Sequence, residues 1–231
     1  MKRLIHFLIE CKKETLVTRI RIALLAFFIM FVAGTQANAV TVFTANLTTS
    51  QEPSPPFLTP TTTTGVARPI PFGTANFILN DAQTALSFTA TIFNIDVTGS
   101  QTADVNDNLV AAHIHAGTGV TPTFPVVWGF FGSPFNNNNP ADEVDTPFAS
   151  GVGGTFSGTW NLPEGNSTTL GAQLPNILAG RSYINFHTTQ NPGGEIRGAL
   201  VVTAVPEPGT LFLLISGLVG IYIVRRKTRL S

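Results

Sequence analysis

The chain is short of the residues that usually staple or charge an exported protein. Its 231 residues include one cysteine, Cys11. A lone thiol closes no disulfide within the chain, and this one lies in an N-terminal segment expected to be removed. The mature chain must therefore hold together by its core alone, even in an oxidising compartment. Charge is scarce as well, at 11% of residues, and it is segregated. Lys2, Arg3, Lys12, Lys13, Arg19 and Arg21 lie at one end, and Arg225, Arg226, Lys227 and Arg229 at the other. Only Arg68, Arg181 and Arg197 fall between. Against these three, residues 40–205 carry ten acids, a net charge of −7 for that span. A mildly acidic body lacks the basic face that a nucleic-acid partner requires. No stretch of the body sustains a helical period, which excludes a helix bundle. G-x-S-x-G, a phosphate loop and HExxH are all missing, and with them the commonest hydrolase, nucleotide and zinc-protease signatures.

What is present begins at the N-terminus. A basic stretch precedes the apolar run Ile22–Ala33, "IALLAFFIMFVA", and then "GTQANA". Ala37 and Ala39 form a small-x-small cleavage site, so residues 1–39 are expected to be a signal peptide cut after Ala39. Twelve apolar residues are few for a permanent span of ~20. At the other end "VPEPGT" leads into the apolar run Leu211–Val224 and then "RRKTR". Pro206 and Pro208 break any element before a hydrophobic helix. That helix is expected to hold the chain in a membrane with the basic cluster on the cytoplasmic side.

Between the ends, residues 40–204 are rich in Thr, Gly, Asn, Phe and Val. Short alternating segments recur at 41–47, 73–80, 85–95, 109–117, 125–131, 154–162, 181–188 and 195–203. Gly, Pro, Asn and Asp punctuate the gaps. Seven or eight short strands of this kind predict an all-β fold, an antiparallel β-sandwich. In "ALSFTATIFNI" (85–95), Leu86, Phe88, Ala90 and Ile92 share the core face. Residues 168–180 predict one short helical turn, ended by Gly180. The Pro/Thr-rich span 48–65 and the Asn-rich span 132–154 predict surface loops. Asp142, Glu143 and Asp145 in the latter read as a solvated acidic loop rather than a Ca²⁺ site. "DVNDN" (104–108) imitates an EF-hand start but puts Leu109 at the glycine position and His115 at the bidentate glutamate position.

Histidine is also scarce, four in the whole chain, yet two sit side by side in "AAHIHAGTG" (111–119). Strand alternation sends His113 and His115 to one face and Ile114 to the other. In "GRSYINFHTTQNPGGEIRGAL" (180–200), Tyr183, Asn185 and His187 share a face, with Ile184 and Phe186 opposite. Asn191, Pro192, Gly193 and Gly194 suit a turn, with a glycine at positive φ. Across that turn Glu195 and Arg197 share a face. A strand carrying His113 and His115 beside this hairpin would gather three histidines, Asn185, Glu195 and Arg197. Glu195 is expected on the histidines' side.

The HxH strand followed by "YxNxHT…NPGG-EIRG" resembles the CHRD domain, named after chordin and present in many bacterial secreted proteins. The early "LTTSQEPSPP" is a looser match to the family's opening. The resemblance spans about residues 41–203 and brings no established catalytic activity; the long insert at 132–154 departs from the compact bacterial forms. The triplet Pro206-Glu207-Pro208 before a hydrophobic run and arginines resembles the bacterial PEP-CTERM protein-sorting signal, over residues 205–231. That likeness implies export, a stage in the inner membrane through the C-terminal helix, cutting near the triplet by an exosortase-type enzyme, and release to the cell surface or beyond.

The polar cluster has two readings. As a structural or ligand-binding network, the histidines and Asn185 bond to backbone, Glu195 pairs with Arg197 or a histidine, and the protein is a non-enzymatic envelope or matrix component with a polysaccharide or protein partner. As a metal site, His113, His115 and His187 hold Zn²⁺ or Cu²⁺, with redox or hydrolytic chemistry in reach. Arg197 opposes the metal unless an acid neutralises it. An HxH pair on a β-sandwich is similar to copper–zinc superoxide dismutase, but that enzyme's other ligands and cysteines have no counterpart here, and fold likeness does not convey function. A glycosidase pair of carboxylates finds only Glu195 within a motif. Trp128 and Trp160 could stack on sugars or fill the core.

Overall fold

A computed structural model describes residues 40–53, 59–118, 123–204, 216–218, 220 and 221. The chain divides into two units, Ala39–Pro206 and a second formed by Met1–Asn38 with Glu207–Ser231. In the second unit the described residues, 216–218, 220 and 221, are helical. Among the described residues no helix is long and apolar enough to cross a membrane. The expected signal segment, its cleavage residues Ala37 and Ala39, the triplet Pro206–Pro208 and the C-terminal membrane helix lie outside the described residues, apart from those five.

The first unit is a sheet built by period-two alternation. In β2 (Phe72–Leu79), Gly73, Ala75, Phe77 and Leu79 are buried while Phe72, Thr74, Asn76 and Ile78 are exposed. β3 (Ala85–Phe93) buries Leu86, Phe88, Ala90 and Ile92, the face expected of it. β1 (Thr41–Thr48) pairs with β2 in full antiparallel register, Thr41 opposite Leu79 through Thr48 opposite Phe72. β4 (Leu109–Ala116), β5 (Val126–Gly132), β6 (Val144–Pro147), β7 (Gly153–Asn161), β8 (Ser182–Thr188) and β9 (Ile196–Ala199) complete the order β5-β4-β8-β9-β1-β2-β3-β7-β6, and β10 (Val201–Ala204) pairs with β1. Every strand pairing is antiparallel.

The all-β reading holds. The two expected layers are one continuous sheet curled on itself. Leu200 separates β9, which lies between β8 and β1, from β10, which pairs with β1 further along. The core lies inside the curl, where rings from its two halves meet. Phe88 of β3 stands edge-on to Trp128 of β5 at 5.9 Å, and Phe156 of β7 lies 5.4 Å from Phe186 of β8.

Two further expectations resolve here. Helix α1 (Leu170–Leu178) falls in the span expected to turn; Thr169 caps it by accepting from the Ala172 N–H, and Gly180 ends it at φ +70°. The span 132–154 is not wholly loop, because Val144–Pro147 pairs with Ser157–Gly154 of β7. This edge strand is mostly exposed and carries no apolar alternation, so the sequence hides it.

Candidate functional site

β4 and β8 lie side by side at the centre of one half of the sheet, each with a neighbour on both edges. Their register sets His113 opposite Asn185 and His115 opposite Tyr183, with His187 opposite Ala111. His187 is thus the diagonal neighbour of His113 on one face, within reach of a long side chain. The other face holds Ala112, Ile114, Ile184 and Phe186 in the core. A strand whose polar face met water would expose its histidines. Here His113, His115 and His187 are only 4%, 7% and 6% exposed. Phe135, from the segment after β5, stands edge-on to His113 at 5.6 Å, and Tyr183 stacks on His115 at 4.6 Å.

The three rings meet. Centroids lie 4.7 Å apart for His113 and His187, 5.8 Å for His113 and His115, and 6.2 Å for His115 and His187. Hydrogen bonds to carbonyls fix two tautomers, because a carbonyl only accepts. His187 Nδ1–H donates to the Pro192 carbonyl at 3.0 Å, and His115 Nδ1–H donates to the Phe124 carbonyl at 2.8 Å. Each Nε2 is then a bare lone pair. His113 Nδ1 lies 3.1 Å from His187 Nε2, so in the neutral cluster His113 donates there. The Nε2 atoms of His113 and His115 and the Oδ1 of Asn185 are buried with no hydrogen-bond partner among the described residues.

Burial holds the rings neutral. It pushes His113 down to about 3 and His115 to about 4, and lowers His187 below the usual histidine range. An unfolded histidine takes up its proton near 6.5. The unfolded chain therefore binds more protons in that window, so this contribution is intact above pH 6.5 and is lost as pH falls towards 4. Glu52 and Glu143, both raised by burial to about 7, act in the opposite sense from pH 7 down to 4.5. Comparing the chain with a His113→Gln variant isolates one ring. The gap in unfolding free energy is expected to narrow by up to about 1.4 kcal/mol per pH unit below 6.5. A gap that stays constant from pH 7 to 4 would mean that His113 titrates as an ordinary histidine.

The hairpin residues divide. Gly194 takes the positive φ, at +128°, and Gly193 does not. A Cβ on Gly194 would come within 2.6 Å of both Asn185 Nδ2 and Glu52 Oε1, so the turn's glycine also leaves room for the cluster. Glu195 does not join the histidines as expected. Its carboxylate accepts from Arg68 Nη2 at 2.7 Å and from Thr188 Oγ1 and Asn191 Nδ2, each at 2.5 Å. The reason is local: Glu195 sits in the bend after Gly194 and before β9 begins, so the pleat does not set its direction. Nor does Arg197 pair with Glu195. Its guanidinium carbon lies 4.5 Å above the Tyr183 ring, and its Nε donates to the Gln51 carbonyl.

Two residues of this region were missed by sequence reasoning. Arg68 was read only as one of three isolated arginines, and nothing local marks it as the partner of Glu195, 127 residues away. Glu52 was seen only within "LTTSQEPSPP"; Arg197 faces it and draws its carboxyl down, against the larger effect of burial. Elsewhere the acidic loops serve the protein itself. Asp104 accepts from the Thr63 N–H and hydroxyl at 2.8 Å, and Asp142 from the Thr159 N–H at 3.0 Å. Trp128 and Trp160 are both fully buried, which removes them as sugar-stacking platforms.

The CHRD domain pattern matches residues 43–200, from β1 through β9. The chain belongs to the CHRD-domain family. The match takes in both histidine strands and the Asn191–Gly194 turn. A second pattern, the PEP-CTERM protein-sorting motif, matches residues 204–227. It implies export, cell-surface sorting and processing by exosortase-type machinery. No curated protein and no solved structure matches the chain.

Proposed function

We propose that this CHRD-domain protein is a non-enzymatic component of the bacterial cell envelope or extracellular matrix, with a binding role, delivered there by its PEP-CTERM tail. The observation that carries the reading is where the sorting motif falls. It begins at residue 204, the last residue of β10, while β1 begins at Thr41. Cutting after Ala39 and again near Pro206–Pro208 therefore removes both hydrophobic ends and leaves every strand whole. The product keeps no cysteine, so the aromatic core must suffice outside the cell. The inner membrane is the intermediate stage, held through the C-terminal helix. A protein partner suits the outer face better than a polysaccharide stacked on tryptophan. There Phe72 stacks on Phe93 at 4.8 Å and both remain exposed, with the Phe148 ring 5.2 Å from Phe93. Exposed apolar area of this kind marks interaction surfaces.

Intact-mass measurement of the protein recovered from the cell surface tests the delivery. The expected mass is that of a chain starting at Val40 and ending near Pro206–Pro208. A mass retaining Leu211–Ser231 would leave the tail a plain anchor and remove the sorted, released form.

A further inference from the structure

We infer that His113, His115 and His187 form a binding site for a single zinc or copper ion, with three imidazole ligands and one coordination position left open. The inference goes beyond the outer-face partner surface proposed above and concerns a separate site, the buried histidine cluster.

Three observations converge. The first is spacing. One nitrogen from each ring can be chosen so that all three lie within 4.8 Å of one another. Two nitrogens on one tetrahedral zinc sit roughly 3.3 Å apart, given Zn–N distances of ~2.05 Å. His113 Nδ1 and His187 Nε2 are already 3.1 Å apart. The widest separation, at most 4.8 Å, has to close by up to roughly 1.5 Å to reach that spacing.

The second observation is the tautomers. Metal-bound histidines usually donate their other ring N–H to a carbonyl or carboxylate, which aims the free lone pair at the ion. His187 and His115 already do this, through the carbonyls of Pro192 and Phe124. Both carbonyls come from segments outside the strands, so the hairpin turn and the segment before β5 orient the ligands.

The third is the cost of having no ligand. A buried polar atom without a partner loses its water and gains nothing in return. His115 leaves its Nε2 in that state, and the lone pair of His187 Nε2 is shared only with His113. A purely structural network would satisfy these atoms. An ion bound through His113 Nδ1 replaces the His113–His187 hydrogen bond with two metal bonds and gives His115 Nε2 its partner, while the His113 proton moves to Nε2.

The donor set selects the ion. Three neutral nitrogens and no carboxylate suit zinc or copper and reject the oxygen-seeking Ca²⁺ and Mg²⁺. The Arg197 charge near His115 opposes a cation, and the nearby Glu52 carboxyl offsets it only as far as it ionises.

The test uses the full chain, stripped with chelator and reloaded with Zn²⁺, with Cu²⁺, or with Cu⁺ under reductant; Ca²⁺ and Mg²⁺ serve as controls. The expected result is one equivalent of zinc or copper by elemental analysis, a raised Tm on loading, and no response to the controls. His187→Ala is expected to weaken binding by more than about 100-fold, a larger loss than a second-layer change gives. Should that variant fold poorly, Co²⁺ loaded into the unmodified chain reports the site directly. Intense visible d–d bands of a four-coordinate ion support it, and a weak six-coordinate spectrum overturns it. Failure to take up a stoichiometric ion, or uptake unchanged in the His187→Ala chain, also overturns it. Neither outcome touches delivery to the surface, which the intact mass decides separately.

Discussion

Replacing Glu195 with alanine is expected to destabilise the fold by about 3–5 kcal/mol, the usual cost of leaving one partner of a buried ion pair alone. Glu195 is fully buried and the Arg68 side chain is 5% exposed. Arg68 reaches Glu195 Oε1 with Nη2 at 2.7 Å, and the same nitrogen donates to Gln190 Oε1 at 3.1 Å. The other carboxylate oxygen takes Thr188 and Asn191, which tie the end of β8 to the turn. Alanine removes the acceptor of all three donors at once and leaves the Arg68 charge with no ion-pair partner, only the weaker attraction of Asp104 and Asp107. Glu195→Gln keeps an acceptor but not the charge and should fall between parent and alanine. The double replacement Arg68→Met with Glu195→Leu removes both charges and should recover most of the loss, because attraction between buried ions only roughly repays their dehydration. Urea unfolding with unchanged m-value measures all three. A Glu195→Ala chain within 1 kcal/mol of the parent would show that water reaches Arg68, and the pair would then count as a surface contact.

That pair also marks where sequence reading stopped. Alternation places Leu86, Phe88, Ala90 and Ile92 on the core face because a strand's side-chain period is fixed by its backbone. The same rule puts His113 with His115, and Tyr183 with Asn185 and His187. Register then brings the two sets together, since β4 pairs with β8. Alternation says which side a residue faces, but not what covers that side. Phe135 and Phe124 cover it from irregular segments, and no period connects them to β4. Arg68 and Glu52 reach the hairpin from such segments too. Glu195 was misplaced because it lies one residue before β9, where the pleat does not yet hold. β6 was missed for the opposite reason: an exposed edge strand of four residues needs no apolar pattern, so "VDTP" carries none.

Trp128→Ala is expected to cost about 3–5 kcal/mol, as for other fully buried large aromatics. The ring is fully buried and touches three others. Trp160 stacks on it at 5.8 Å with planes 9° apart, Phe130 lies at 5.4 Å, and Phe88 meets it edge-on at 5.9 Å. These neighbours come from β3, β5 and β7, so the indole joins the two halves of the curled sheet and the cavity it leaves cannot close by one side chain swinging over. A second loss accompanies the cavity. Trp128 Nε1 donates to Glu164 Oε2 at 3.1 Å, and Glu164 also accepts from the N–H groups of Asn139 and Asn161 at 2.9 and 3.0 Å. Its carbonyl accepts from Trp160 Nε1 at 2.8 Å, so one loop residue holds both indoles. Trp128→Phe keeps most of the apolar volume but not the donor. It should cost about 1.5–3 kcal/mol, near the worth of one hydrogen bond to a charged group. With no disulfide to share the load, both losses appear directly in the urea midpoint. A Trp128→Ala chain that unfolds at the parent's midpoint would mean that the indole is not part of the core. The ring would then be available to stack on a ligand at the surface, and the reading of this protein as one that holds together by its aromatic core would fail with it.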